Sequence, residues 1–283
     1  MQKIIGVIII VFFFISCSNK KSYNIADAKH KLIKKWETDT VLKIPESVLF
    51  DGANHILYTS NVDGEGWTND GVGSIGKVGL DGKIINSEWV TGLSAPKGMG
   101  LYNGKLYVAD LTNMLIIDTS TGEIVKKMPI PGADCLNDLV LDKNGVAYIS
   151  DSKNKKVFRV ENENVQVYLE NLKAPNGVLI FMDSLLVLDN DNLVKVGSDR
   201  AINKFAEGLE GGTDGVENIN GKDFLVSGWN GTLWYVYSDG TKELLLDTRK
   251  EEKNAADIGF DPATNTVYVP TYNKKSVVAY EVK

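Results

Sequence analysis

The chain has 283 residues, of which 43% are hydrophobic, 24% charged and 9% aromatic, so it can bury a large core and is not a disordered polymer. Thirty-one Lys and Arg face 37 Asp and Glu for a net charge of -6, and no long basic run occurs, which argues against a nucleic-acid partner. Two histidines, His30 and His55, and two cysteines, Cys17 and Cys135, exclude a thiolate zinc cluster or a His-rich centre. Any metal would therefore be held mainly by oxygen.

At the N-terminus, Lys3 precedes an apolar run over residues 4–15. That run is too short to cross a bilayer, which takes about 20 helical residues, and it has the form of a signal-peptide core. The run ends in Phe14-Ile15-Ser16-Cys17, which resembles the lipobox of bacterial lipoproteins, with Phe14 where Leu is usual. The alternative is an ordinary signal peptide with an incidental Cys. The resemblance implies a signal peptide over 1–16, a lipidated Cys17 and a tether over 17–29. The mature protein is then expected outside the cytoplasm, touching the membrane through its lipid alone. Ser18 stands where an inner-membrane retention signal has Asp, which favours the outer membrane. Lipidation of Cys17 leaves Cys135 as a free thiol with no partner for an intramolecular disulfide.

The remainder of the chain repeats. Six segments share a small or polar start, an apolar strand, a turn and a second strand. Their first strands carry Pro45-Glu46-Ser47, Pro96-Lys97-Gly98, Leu136-Asn137-Asp138, Pro175-Asn176-Gly177, Thr213-Asp214-Gly215 and Ala255-Ala256-Asp257. Their second strands read LYTSN, LYVAD, AYISD, LLVLD, FLVSG and VYVPT. The second residue of each copy falls at 46, 97, 137, 176, 214 and 256, giving spacings of 51, 40, 39, 38 and 42. Two further strand-like runs separate successive copies, and Asp81-Gly82, Asn144-Gly145, Asn220-Gly221 and Asp239-Gly240 supply tight-turn signals. Four short strands about every forty residues predict one domain over 30–283, an all-β, six-bladed β-propeller with four-stranded antiparallel blades. The last copy lacks room for its outer strand. Residues 30–40 are expected to supply it and so close the ring. The long first interval has its excess in residues 61–73, a Gly- and Asp-rich loop containing Trp67.

First strands of a propeller line its channel, so Glu46, Lys97, Asn137, Asn176, Asp214 and Ala256 should converge near the axis. Four of the six are oxygen donors, the kind preferred by Ca²⁺ or Mg²⁺. Polar side chains also occur in any water-filled channel, so the composition of this ring leaves both readings open.

The order Glu, Asn, Asn-Gly, Asp-Gly on copies one, three, four and five resembles the senescence marker protein (regucalcin), gluconolactonase and luciferin-regenerating enzyme family. The resemblance spans about residues 30–283 and rests on PES at Glu46, LND at Asn137, PNG at Asn176 and TDG at Asp214. It implies one divalent ion on Glu46, Asn137, Asn176 and Asp214, Ca²⁺ foremost, with Mg²⁺, Mn²⁺ or Zn²⁺ as alternatives. It also implies hydrolysis of a small lactone or ester by water activated at the ion, with Asp214 as ligand and proton acceptor. Two features depart from the family. Cys135 stands two residues before Asn137, where sugar-lactone enzymes carry a substrate-binding Arg. Lys97 lies beside Glu46 and could either pair with it, in competition with the metal, or hold an anionic substrate group.

Other residues have plainer readings. Strand alternation should point Asp138 away from Asn137, and Asp257 follows Ala256; both are expected to be structural. Asn61, Asp110, Asp151 and Asp189 end second strands and are expected to bond the backbone of the following turn. Trp229 and Trp67 could wall a pocket mouth, and Trp229 joins Lys97 as a candidate substrate contact. Two function classes follow: a metal-dependent hydrolase of a small molecule, expected to be monomeric, or a non-enzymatic propeller resembling NHL-repeat proteins that binds a partner at the cell envelope through the 61–73 loop.

Overall fold

A computed structural model describes residues 23–283, and the expected signal segment and Cys17 lie outside the described residues. Among the described residues the regular structure is strand, apart from three single-turn 3-10 segments. The strands form six four-stranded antiparallel sheets, a six-bladed propeller as the repeats predict. The innermost strands are Pro45–Asp51, Pro96–Tyr102, Leu136–Leu141, Pro175–Phe181, Thr213–Ile219 and, in blade six, the short Gly259–Asp261. Hairpin turns fall at the sequence signals. Asn220 and Gly221 both take positive φ, 57° and 75°, the geometry of a primed turn that follows strand twist.

Alternation along each blade turns one apolar face toward the blade before it and the other toward the blade after it. Burial therefore occurs between blades. Six large cores result, one per interface; for example, Ala109, Met114 and Met128 of blade two pack on Leu136, Ile149 and Phe158 of blade three. The ring closes as expected. Leu32–Glu37 pairs antiparallel with Val277–Val282 and becomes the outer strand of blade six. Trp36 fixes this strand by stacking on Tyr268 at 5.7 Å and donating its indole N–H to Leu80 O at 2.8 Å. A second closure lies at the axis, where Ser47 and Asp257 form a parallel bridge between blades one and six. There Val48 N donates to Asp257 O at 3.1 Å, and Asp257 N donates to Glu46 O at 3.0 Å.

Residues 23–29, which the expected boundary places in the tether, pack against blade five. Tyr23 meets Trp234 edge to face at 5.0 Å, and Lys29 N donates to Glu243 at 2.7 Å.

Candidate active site in the central channel

The inner strands are not regular where the ring residues sit. In the first five blades the pairing of first and second strands slips just after the first residue, between Pro45 and Ser47, Pro96 and Met99, Leu136 and Leu139, Pro175 and Val178, and Thr213 and Val216. Such a bulge frees the backbone groups of the ring residue and its successor from the ladder. In blades one, three and five a serine of the second strand takes over. Ser60 Oγ accepts from Ser47 N at 3.0 Å, Ser150 Oγ from Asp138 N at 2.9 Å and Ser227 Oγ from Gly215 N at 2.8 Å. These serines are the fourth residues of LYTSN, AYISD and FLVSG.

The bulge sets two successive residues of a strand around the channel and so makes two tiers. The upper tier holds the predicted ring. Glu46, Lys97, Asn137 and Asp214 are buried, Asn176 is half-buried, and Ala256 offers no donor. Asn176 donates to Asp214 Oδ1 at 2.7 Å and to Thr213 O at 3.3 Å. Asn137 donates to Ser152 Oγ at 3.0 Å, and that hydroxyl donates to Pro175 O at 2.7 Å, so the amide nitrogen is committed and its oxygen is turned out of the bond. Lys97 Nζ lies 3.4 Å from Glu46 Oε1, realising the ion pair that the sequence left open. Its ammonium also sits 4.2 Å from the centre of the Trp67 ring. Trp229 stands edge to face with Tyr272 at 4.6 Å.

The second tier contains Ser47, Gly98, Asp138, Gly177, Gly215 and Asp257 in blade order. Side chains and glycines are complementary here. A Cβ on Gly98 would come within 2.2 Å of Asp138 Oδ1, and one on Gly215 within 2.4 Å of Asp257 Oδ1. Asp138 thus points inward rather than away from Asn137, because the bulge breaks the alternation behind that expectation. Its carboxylate accepts from Leu139 N and, across the blade boundary, from Val178 N, both at 2.6 Å. Asp257 accepts from Ser47 Oγ at 2.5 Å. Both acids therefore staple neighbouring inner strands, while Glu217 joins them in lining a cavity of about 220 Å³ at this end of the channel. Glu217 was not singled out in the sequence; being three residues beyond Asp214 on the same strand was its one signal.

The channel thus gathers five carboxyl groups and one ammonium. Burial pushes Asp214 well above the usual carboxylate range, and the nearby charge of Glu46 adds to it. Glu46 is raised by burial, opposed by Lys97. In the lower tier burial takes Asp138 to about 7 and Glu217 to about 8, and raises Asp257, with the other acids contributing. Among the described residues, four buried side-chain polar atoms have no hydrogen-bond partner, and two of them are Glu46 Oε2 and Asp214 Oδ2. Bare buried carboxylate oxygens are costly, and a cation or a proton relieves them. No three His, Cys, Asp or Glu side chains among the described residues converge as a metal cluster, so a cation here must also draw on the amides. Two acid oxygens and two amide oxygens suit a hard divalent cation.

The remaining expected residues are peripheral. Asp110, Asp151 and Asp189 accept from the backbone of the segment entering their own blade, as in Ser94 N and Ala95 N to Asp110 at 2.9 and 2.8 Å. Asp151 alone of these three also bonds the following turn, accepting from Asn154 N at 2.8 Å. Asn61 donates to Ser87 O at 3.1 Å and Ser74 Oγ at 3.3 Å. Cys135 is buried, and burial together with Asp134 raises its thiol, so it is a poor nucleophile.

Comparison with known proteins gives the same architecture. No family model matches the chain, and no curated protein matches it in sequence. Solved structures do. A streptogramin B lyase superimposes with a TM-score of 0.67 at 13% identity, covering 90% of this chain and 98% of the other. A catalytically inactive His-to-Ala variant of virginiamycin B lyase from Staphylococcus aureus, crystallised with quinupristin, gives 0.64 at 14%, covering 89% and 99%. A gluconolactonase from Xanthomonas campestris gives 0.67 at 15%, covering 86% and 88%. The likeness is one of fold. The propeller fold is shared with proteins described as lactonases and as lyases.

Proposed function

We propose that the protein hydrolyses a small lactone or ester in the upper channel, with a divalent cation held by Glu46, Asn137, Asn176 and Asp214. The observation that carries this reading is the pair of bare buried oxygens, Glu46 Oε2 and Asp214 Oδ2, in a tier that also offers two amides. When bound, such a cation supplies Lewis acidity and lowers the pKa of a nearby water. Asp214 supplies the proton acceptor. Asn176 holds Oδ1, so both the cation contact and the proton of the attacking water would fall to Oδ2. Lys97 has N–H donors for a substrate oxygen, with the Trp67 ring 4.2 Å from its ammonium and Trp229 set against Tyr272. A histidine-dependent lyase chemistry finds no support here: His30 is bonded to Glu243, and His55 is an exposed turn residue.

Asp214→Asn keeps the shape and removes the acceptor, so turnover of a simple γ-lactone should fall by about a hundredfold or more, with the circular dichroism spectrum unchanged. Undiminished turnover in that variant contradicts the reading. A second reading, a non-enzymatic propeller that binds a partner at the cell envelope, draws on Trp67 and Val72, each 47% exposed in the 61–73 loop. It predicts binding lost on substitution of those two residues and unaffected by Asp214→Asn.

A further inference from the structure

Lys97 is an unusual residue to bury. Its side chain is 4% exposed, yet its only hydrogen bond among the described residues is the long one to Glu46 Oε1 at 3.4 Å. An ammonium has three donors. The rest of its surroundings is the face of Trp67, which attracts the positive charge but accepts no conventional hydrogen bond. Two of the three donors are therefore unspent in a pocket from which bulk water is largely withdrawn. A buried donor left unmet is costly, and an anionic acceptor meets it best.

Charge points the same way. When Glu46 and Asp214 are both ionised, as a bound cation requires, they and the single ammonium of Lys97 leave the upper tier one charge negative. A divalent cation turns it one charge positive. Trp67 also shapes the approach. Its ring covers one side of the ammonium and is itself half exposed.

We propose that Lys97 is the specificity-determining residue of the site, and that it selects a substrate carrying a carboxylate beside the lactone or ester group. The proposal rests on the metal-dependent hydrolase reading and narrows it to monoanionic substrates. Lys97 binds the carboxylate through its two unspent donors, while the scissile carbonyl lies toward Asp214. Glu46 aims the ammonium through its contact at 3.4 Å.

The test uses the full-length protein with Ca²⁺ present and two pairs of probes. The first pair, 3-oxocyclopentane-1-carboxylate and its carboxamide, cannot be hydrolysed and reports binding by calorimetry. The second pair, 5-oxotetrahydrofuran-2-carboxylate and its carboxamide, reports turnover by acid release. The wild type should bind the carboxylate about tenfold or more tightly than the carboxamide, and Lys97→Met should erase that preference while changing carboxamide binding by less than about twofold. Lys97→Arg, which keeps the charge, should retain part of it, and thermal unfolding of each variant checks the fold. Equal binding of the two probes by the wild type, binding of neither, or a preference that survives in Lys97→Met overturns the proposal. If the carboxylate preference holds but neither lactone is hydrolysed, the anion site stands and the hydrolase reading fails.

Discussion

Among single residues, Glu217 isolates the electrostatics of the channel from its chemistry. It lies on the lower cavity, apart from the proposed cation ligands, and burial together with Asp138 lifts it from 4.5 to about 8. The folded protein thus keeps a proton that the unfolded chain releases once the pH passes 4.5. Stability from this group is fully present below the unfolded value and is lost as pH rises through the folded one. Urea unfolding of the wild type should show falling stability from mildly acidic to mildly alkaline pH, and Glu217→Gln, which cannot ionise, should flatten part of that slope. An unchanged slope in the variant contradicts the assignment. The identities of the ring residues were readable from the repeats because each occupies the same place in its copy. Their relations were not. Neither the bond from Asn176 to Asp214 nor the roof of Trp67 over Lys97 follows from spacing, since each joins different blades or a loop of irregular length.

At the level of the strand, the bulge is the device that makes the site. A regular strand would send Asp138 to the opposite face from Asn137, which is how simple alternation misplaces it. In the first five blades the bulge turns both positions inward, and in blades one, three and five a serine of the second strand satisfies an N–H group it frees. A trace of this was present in the sequence: the residue after the ring position is glycine in blades two, four and five and a hydrogen-bonding side chain in blades one, three and six. The glycines provide the room that the carboxylates fill. Gly98→Ala would bring its Cβ within 2.5 Å of Asp138 Cα and 2.6 Å of Leu139 N, backbone atoms that cannot swing aside. It should destabilise the protein by about 2 kcal/mol or more in chemical denaturation, whereas Gly132→Ala, with open space around its Cβ, should cost only what its positive φ imposes, about 1 kcal/mol. Equal costs at the two positions would count against the two-tier packing.

For the molecule as a whole, closure decides whether the tiers exist. Each ring residue comes from a different blade, so the proposed donors meet only if six sheets return to their starting point. The outer strand Leu32–Glu37 and the axial bridge at Ser47 and Asp257 achieve this at two radii. Both the blade count and the outer closure were readable, the first from the forty-residue period and the second from the missing strand of the last copy. The axial bridge was not, because it depends on the chain entering blade six through Ala256 and Asp257 before its short inner strand begins. The packing of residues 23–29 on blade five also escaped the sequence, which assigned them to the tether. What the closed ring produces is a buried tier with unpartnered carboxylate oxygens on blades one and five. The most direct test of the account is calorimetric titration of Ca²⁺, and of Mg²⁺, Mn²⁺ and Zn²⁺ in turn, into metal-stripped wild-type protein and its Glu46→Gln and Asp214→Asn variants. The account predicts one site per chain for at least one of these ions, weakened about tenfold or more in either variant. No binding by the wild type, or binding that both variants retain in full, would contradict it.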